Sequence, residues 1–444
     1  MSNTSKNTPK VGIDRITFAT PNCYLSMRDL AIERGIDPNK FTIGIGQSQQ
    51  AVPPNHQDIV TLGAQAALPL MQYIDSNRLK MVIVGTESGV DASKSSALYI
   101  HKLLNLSSWA RCVEVKEACY GGTAALMMAR DYVLTHPGAQ VLVIAADIAR
   151  YGVGTPGEVT QGAGAVAMLV SENPHVLQIN DDSVVKSAEI QDFWRPVYQS
   201  TALARGKFST EQYIRMFCDV WQRYSAENAC NFNDFEAICF HLPYTKMGLK
   251  ALRAGLEENS SAPITSDTRE RLLARYQDST QYSRRIGNIY TGSLYLGLIS
   301  LLDYDYFRNS CDSSESAGDS STVAGDSSAV ACDSPSATHT NESPMRPSPL
   351  LPGQKIGLFS YGSGAVAEFF SATLVPGWRS ALFSNQHIKT LNNRTQLTVS
   401  QYEEMFNSAA PYSPQDFVSS QKNRSGARFV LDSIKSQERN YRSI

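Results

Sequence analysis

Short, almost wholly apolar runs recur along the first 170 residues and predict the strands of a buried sheet. Residues 80–85 (KMVIVG) and 140–146 (QVLVIAA) lack the alternation of a half-exposed strand, which is typical of strands covered on both faces. Further strands are predicted at 11–20, 111–115 and 163–170. Helical spacing predicts helices at 26–34, 58–74, 93–104 and 123–134. Strands alternating with helices predict an α/β protein with a mostly parallel sheet.

Two local features modify this pattern. Pro69 lies inside the second predicted helix and is expected to kink or break it. Residues 41–46 (FTIGIG) are expected to open a glycine-rich loop.

The second half of the chain repeats the pattern less regularly. Strands are predicted at 237–240 and 355–360, and the glycine-rich turn after the latter is followed by an apolar run, 365–373, that we interpret as a helix. The other helices of this half are predicted at 208–228, 245–256, 268–276 and 291–302.

Residues 309–353 differ in composition from the rest of the chain. Four copies of a seven-residue, Ser- and Asp-rich unit begin at positions 311, 318, 325 and 332. No pair of large apolar positions recurs at coiled-coil spacing, and small polar residues bury too little surface to offset the loss of chain entropy. We expect a disordered surface loop here.

Composition and charge exclude several classes of protein and indicate an ordinary globular one. The 444 residues are 42% hydrophobic and 18% charged, and the net charge of −2 gives no reason to expect a nucleic acid or an anionic membrane as partner. No apolar run is typical of a signal peptide or a membrane span. The eight cysteines form no C-x-x-C pair, so we expect free thiols rather than a zinc site or disulfides, and a cytoplasmic protein.

Cys119 is the first candidate for a nucleophile. It lies between a predicted strand and a predicted helix, so the positive end of the helix dipole is expected to favour its thiolate. Gly121 and Gly122 would let another backbone or a ligand approach closely. The alternative is a buried structural cysteine beside a Gly-Gly turn.

Polar residues at strand ends favour the first interpretation. Those at or just after the carboxyl end of a predicted strand are Glu87, Cys119, Asp147, His241 and Ser360. Ligands of open α/β sheets bind at this edge, so we expect the five to share one crevice. A thiolate, an imidazole and a carboxylate suit acyl transfer, and Asn288 at a helix start could supply an N–H to a carbonyl or oxyanion.

Five ordered motifs resemble 3-hydroxy-3-methylglutaryl-CoA synthase, and in particular its bacterial branch. They are Gly85-Thr86-Glu87-Ser88, Glu117-Ala118-Cys119-Tyr120-Gly121-Gly122-Thr123, His241-Leu242-Pro243-Tyr244, Gly287-Asn288 and Ser360-Tyr361-Gly362-Ser363-Gly364. The resemblance implies a thiolase-like fold of two similar α/β halves in five layers (αβαβα), here 1–175 and 176–444, and normally a homodimer. It also implies acetyl-CoA and acetoacetyl-CoA as substrates, no metal or organic cofactor, and a role in the mevalonate pathway of isoprenoid synthesis.

The resemblance assigns roles to individual residues. Cys119 matches the acyl-accepting nucleophile, Glu87 the base that takes a proton from the acetyl methyl group, and His241 the acid that assists at the acetoacetyl-CoA carbonyl. A neighbouring imidazolium is expected to help hold the thiolate. The matching substrate-binding positions are Asp37, Tyr151, Thr160, Ser209, Lys246, Lys250, Asn288 and Ser360. The matching supporting positions are Asp147, Asp192 and Tyr290.

Other functions fit the sequence less well, with one alternative left open. A decarboxylating ketoacyl synthase would not need Glu87, and a thiolase would need a second cysteine near the C-terminus, whereas no cysteine follows position 332. A non-catalytic scaffold is disfavoured because the Cys-Glu-His set is complete. Synthases of polyketide β-branching use the same set on chains bound to an acyl carrier protein, and this alternative stays open.

Overall fold

The computed structural model describes residues 9–258, 263–315, 347–410, 413–420, 422 and 426–444. The first part of the chain forms β1 (Val11–Ala19), β2 (Cys23–Ser26), α1 (Met27–Glu33), β3 (Gln49–Ala51), α2 (Ile59–Ala67), β4 (Leu79–Gly85), α3 (Ser96–Leu103), β5 (Arg111–Val115), α4 (Gly121–Thr135), β6 (Gln140–Ala149) and β7 (Gly162–Glu172). The second part forms β8 (Leu177–Ile179), β9 (Val184–Ser187), β10 (Phe193–Trp194), β11 (Leu203–Ala204), α5 (Gly206–Glu227), β12 (Ala237–Phe240), α6 (Thr245–Glu258), α7 (Ser266–Ile286), α8 (Ser293–Glu315), β13 (Lys355–Gly362) and β14 (Val366–Leu374). The remaining elements are α9 (Ser384–Asn392), β15 (Thr395–Leu397), α10 (Val399–Asn407), β16 (Phe417–Val418), β17 (Phe429–Lys435) and β18 (Glu438–Ser443).

The break at Pro69 is confirmed, because α2 gives way to a 3₁₀ helix at Leu68–Tyr73. The loop expected at 41–46 is wrong, since Lys40–Ile45 forms a turn of π-helix that ends at Gly46 with φ 86°. The described part of the chain has no helix that is both long and apolar enough to cross a bilayer.

Ten strands form one sheet, and its two parts follow the same plan. In the first part β4 lies parallel to β5 and β6, and β7 is antiparallel between β6 and β1. In the second part β12 lies parallel to β13, and β14 is antiparallel to β13, β8 and β9. The short β1–β8 pairing joins the two parts. The expectation of a mostly parallel sheet is therefore wrong, because three of the strand pairs are parallel and six are antiparallel.

Three hydrophobic clusters divide the molecule into layers. The central cluster joins one face of each part of the sheet to α4 and α8, with Val143 and Leu358 on the sheet. A second cluster covers the opposite face of the first part under α2 and α3, where Ile144 points. A third covers the outer face of the second part under α5 and α6. The five-layer αβαβα arrangement is confirmed, whereas the division of the chain at residue 175 stays a prediction.

The helix expected at 365–373 is wrong. Residues 366–374 form β14, which pairs with β13 so that Ser360 lies opposite Glu368. The run is short, apolar and buried on both faces, and hydrophobic spacing alone does not distinguish such a strand from a buried helix. The glycines before it make a hairpin turn instead of a helix start.

The Ser- and Asp-rich loop is attached to the core at both ends. Residues 316–346, most of the expected disordered segment, lie outside the described residues. The expectation that the loop begins at 309 is wrong, because α8 continues to Glu315, and the Asn309 amide donates to Asp305 within it. After the gap, Leu350 is buried and its N–H donates to Asp305 over 2.8 Å.

Arg275 is a buried cation on α7 whose loss should destabilise this region. Its fully buried side chain lies 3.2 Å from Asp305 and 3.5 Å from Glu236. The variant Arg275→Met would leave Asp305 and Glu236 without the charge of this guanidinium. We therefore expect the free energy of unfolding, measured in urea, to fall by about 3–5 kcal/mol. The matched variant Arg223→Met removes an exposed pair with Glu227 and should cost less than about 1 kcal/mol. Equal losses in the two variants would contradict this assignment.

Candidate active site

Cys119 lies in the turn between β5 and α4, as predicted, and backbone from the second part of the chain packs against this turn. A Cβ added at Gly122 would lie 2.5 Å from the Thr291 carbonyl oxygen. A Cβ added at Gly362, at the end of β13, would lie 2.6 Å from the Tyr120 Cβ. Only glycine permits either approach, because real Cβ atoms do not come within 3 Å of such neighbours.

The thiol of Cys119 donates a hydrogen bond to the carboxyl group of Glu87, with 3.2 Å between Sγ and Oε1. Glu87 follows β4, and its backbone is held on both sides: its N–H donates to Asp147 over 2.9 Å, and its carbonyl oxygen accepts from the Arg195 guanidinium. The carboxyl group is therefore directed at the sulfur by contacts that do not use its own oxygens.

Asp147, on β6, connects this turn to the second part of the chain. Its fully buried carboxylate accepts the Thr86 hydroxyl over 2.9 Å and the Thr291 N–H over 3.0 Å, and the Thr291 hydroxyl also donates to it. A carboxylate with this many donors is fixed in place, and its charge acts on Glu87.

Protonation in the site differs from the expectation. Burial, followed by the charge of Asp147, raises the pKa of Glu87 to about 8. Burial, followed by the charge of Glu87, raises the pKa of Cys119 well above its usual value. Burial lowers the pKa of His241 to about 3. The expected thiolate beside an imidazolium is therefore wrong for the resting site, because desolvation and a neighbouring carboxyl outweigh a helix dipole worth about 0.3–1 kcal/mol.

His241 directly follows β12, and its backbone N–H donates to the Phe359 carbonyl oxygen on the neighbouring strand β13 over 2.8 Å. The Tyr213 hydroxyl donates to the His241 carbonyl oxygen over 2.6 Å, and the Tyr213 ring lies 5.2 Å from that of Tyr361. The Tyr361 hydroxyl donates in turn to Asp192 over 2.8 Å. The charge of Asp192 contributes to the raised pKa of Cys119, so Asp192 lies near the thiol.

Aromatic rings and an amide form the wall next to Glu87. The rings of Tyr151, Phe193 and Tyr290 meet edge to face at 5.9–6.3 Å. The side-chain oxygen of buried Asn288 accepts the Tyr290 N–H over 2.9 Å. Burial raises the pKa of both tyrosines, so their hydroxyls stay protonated.

Ser360 and Ser209 touch the site through other side chains. The Ser360 hydroxyl accepts from Thr123, on the helix that follows Cys119, over 2.7 Å. Ser209 donates to Asp192 over 3.3 Å. Thr160 lies in a 3₁₀ turn, where its hydroxyl donates to the Gly157 carbonyl over 2.9 Å.

Of the three remaining predicted binding residues, Lys246 and Lys250 lie on α6, and Asp37 lies between α1 and the π-helical turn. Asp37 and Lys250 are exposed, and the Lys250 ammonium donates to the Tyr244 hydroxyl over 3.0 Å. Lys246 is half-buried beside Gly46, at the end of the π-helical turn. These residues are outside the buried cluster and could contact only a long substrate.

Arg195 is a residue to which the sequence argument gave no role. It follows the two-residue strand β10, whose pairing with β11 brings it to the backbone of Glu87. Its position three residues after Asp192 was the only available signal. Among the described residues, no group of three or more His, Cys, Asp or Glu side chains is arranged to hold a metal ion.

A cavity of about 280 Å³ lies beside Glu87. Its walls come from residues 53–59, the turn after β4, the ends of β6 and β10, and the C-terminal part of the chain. Glu87 and Tyr290 line it, whereas Cys119 and His241, which are also described, do not.

Several known proteins resemble this chain in both sequence and fold. Residues 7–175 match the family described as Hydroxymethylglutaryl-coenzyme A synthase N terminal. The hydroxymethylglutaryl-CoA synthase of Enterococcus faecalis is 45% identical over 89% of this chain and 91% of its own length. The chain belongs to the hydroxymethylglutaryl-CoA synthase family. A crystal structure of an HMG-CoA synthase complexed with CoA, 38% identical, superposes with a TM-score of 0.84 over 98% of this chain and 100% of that one, and the thiolase-like fold is thereby confirmed.

The synthase family also includes enzymes that act on carrier-bound chains. The polyketide biosynthesis 3-hydroxy-3-methylglutaryl-ACP synthase PksG of Bacillus subtilis is 30% identical over 89% of this chain and 87% of its own length. The identity is lower than to the Enterococcus faecalis synthase, which favours a CoA-bound acceptor.

Proposed function

We propose that this protein condenses acetyl-CoA with acetoacetyl-CoA and water to give 3-hydroxy-3-methylglutaryl-CoA and CoA. It is an acyl-transferring condensing enzyme of the hydroxymethylglutaryl-CoA synthase family. The observation on which the proposed mechanism rests is the 3.2 Å contact between the Cys119 thiol and the Glu87 carboxyl group. This contact supports the assignment of Cys119 as the nucleophile and Glu87 as the base that act on one acetyl group.

In the first step, Cys119 accepts the acetyl group. Ionised Glu87 takes the thiol proton over the existing hydrogen bond while the sulfur attacks the thioester carbon of acetyl-CoA. CoA leaves as a thiol and carries one proton away, which returns Glu87 to the carboxylate. A neutral resting thiol suits this scheme, because the proton moves only when the acetyl group is bound.

In the second step, Glu87 removes a proton from the methyl group of acetyl-Cys119, and the carbanion attacks the ketone carbon of acetoacetyl-CoA. His241 is neutral at rest, so we assign it the role of hydrogen-bond donor to the ketone oxygen, where negative charge develops. The proton that Glu87 took from the methyl group then passes to this oxygen, which gives the hydroxyl group of the product and returns Glu87 to the carboxylate. Water then hydrolyses the thioester to Cys119 and releases the product.

The residues proposed to bind substrate form a buried group and a group near the surface. Asn288 and Ser360, both buried, would hold the acyl part of the second substrate, with Tyr151, Tyr290 and Thr160 along the wall. The surface group of Asp37, Lys246 and Lys250, with Ser209 further in, would contact the CoA portion, whose phosphates suit the two ammonium groups. Asp147 and Asp192 would fix the catalytic turns. No cofactor is assigned.

The mechanism is tested by mass measurement of the peptide that contains Cys119. Incubation with acetyl-CoA should add one acetyl group, and acetoacetyl-CoA should then remove it with formation of the six-carbon branched product. Acetylation without turnover of acetoacetyl-CoA would indicate a carrier-bound acceptor, as in polyketide β-branching. Absence of acetylation would exclude the mechanism.

The raised pKa of Glu87 predicts how condensation depends on pH. The base must be ionised, so the rate at which acetoacetyl-CoA removes the acetyl label should rise with pH and level off above about 8. Below that pH, each unit should lower the rate about tenfold. In Asp147→Asn the second-largest cause of the shift is removed, and the midpoint should move to lower pH. A profile that is flat from pH 6 to 9 would contradict the role of Glu87.

We also infer a homodimer, in the cytoplasm. Strand β5 forms one edge of the sheet, and Trp109 just before it is 90% exposed, so a second copy could pair there. Six cysteines in the described part of the chain (23, 112, 119, 218, 230 and 239) are free thiols, in keeping with a reducing compartment. Light scattering should give twice the chain mass, and Trp109→Lys, which adds a charge to this exposed edge, should lower it to that of one chain. An unchanged mass in this variant would exclude pairing through β5.

A further inference from the structure

The cavity beside Glu87 is polar enough to hold water. The residues that line it include Arg150, Arg195, Arg439 and Asp58, besides Glu87 itself. Arg439 lies on β18 and donates to Asp58, at the start of α2, over 3.1 Å. A volume of about 280 Å³ has room for several water molecules, and these charged residues are of the kind that hold buried water.

This cavity is separate from the side on which CoA is proposed to bind. Among the described residues, Ser209, Lys246 and Lys250 do not line it, and neither do Asn288 or Ser360. Glu87 therefore forms the boundary: its carboxyl group contacts the thiol of Cys119, and the residue is part of the cavity wall.

The last step of the reaction needs a water molecule when the other approach is occupied. After condensation the product is still attached to Cys119 at one end and to CoA at the other, so its CoA portion fills the side by which the substrates arrived. We propose that the cavity behind Glu87 supplies the hydrolytic water, and that Glu87 activates it there. This inference rests on the proposed function.

The step balances without any further reactant. The water oxygen bonds to the acyl carbon while Glu87 takes one proton from the water, and the bond between that carbon and the Cys119 sulfur breaks. Glu87 returns the proton to the departing sulfur, which restores the thiol. The new carboxylic acid loses its proton to solvent.

Filling the cavity from two separate walls tests this proposal. Ala409, after α10, and Ala202, before β11, both line the cavity, and tryptophan at either position would occupy part of its volume. Ser408 is exposed and does not line it, so Ser408→Trp is the matched control. Each protein is given acetyl-CoA and then acetoacetyl-CoA, the reaction is stopped with acid, and the Cys119 peptide is weighed alongside the released product.

Both cavity variants should acetylate Cys119 at the rate of the unsubstituted protein, but their turnover rate should fall by about tenfold or more. Their Cys119 peptide should accumulate a mass increase equal to acetyl plus acetoacetyl-CoA, the unhydrolysed condensation product. Ser408→Trp should show neither effect. Normal turnover in both variants, or loss of acetylation in step with turnover, would overturn the water route. If the unsubstituted protein is not acetylated, the proposed function itself fails, and the water route with it.

Discussion

Replacing Glu87 with glutamine should separate acetylation from condensation. The amide cannot accept the methyl proton of acetyl-Cys119, so condensation should fall by about 10²–10⁴-fold. Acetylation should stay within about tenfold of normal. The lost proton acceptor slows it, but removal of the Glu87 charge, the second-largest cause of the raised pKa of Cys119, makes the thiolate easier to form. The measurement is the rate of label gain with acetyl-CoA and of label loss with acetoacetyl-CoA.

Glu117 offers the matched control for this variant. It lies two residues before Cys119 in the same turn, and Glu117→Gln removes the same charge without removing the contact to the thiol. Both rates should be close to normal in it. If the two glutamine variants lose condensation equally, the effect comes from charge in the region, and Glu87 is not the base.

Replacing Cys119 with alanine should abolish the reaction entirely. Without the sulfur no covalent acetyl intermediate forms, and we expect turnover to fall by more than about 10⁴-fold, as for other enzymes that lose their nucleophile. No peptide should gain an acetyl group. The assay is the same mass measurement, followed by release of product over hours.

Cys112→Ala is the control for the nucleophile. Cys112 lies on β5, is half-buried and is a free thiol seven residues before Cys119. This variant should acetylate and turn over normally. If the acetyl label persists in Cys119→Ala and disappears in Cys112→Ala, Cys112 is the nucleophile and the assignment of Cys119 is wrong.

The position of the site could be predicted from the sequence because parallel strands expose their carboxyl ends at a common edge. This placed Glu87 and Asp147 together, and the structure joins them by a 2.9 Å hydrogen bond. The turn at Cys119 was equally local, since it needs only a strand, two glycines and a helix. His241 and Ser360 followed from the same rule on adjacent strands of the second part.

Protonation states could not be predicted in this way. The helix dipole at Cys119 is a local feature, whereas the burial that raises the pKa of Cys119 and lowers that of His241 comes from packing of distant segments. The strand at 366–374 was missed for a related reason, because its neighbours decide whether a short apolar run is a strand or a helix. Arg195 reaches Glu87 only through the β10–β11 hairpin, which has no strong local signal.

The close approach at Gly122 and Gly362 has a consequence for biosynthesis. Cys119 is translated more than 160 residues before Thr291 and more than 240 residues before Gly362, yet its turn packs against the backbone at both positions. A nascent chain that has emerged as far as β7 therefore exposes the thiol without the groups that bury it. Such a chain presents Cys119 without part of the burial that raises the pKa of its thiol, and the buried site forms only when the second part of the chain has packed against this turn.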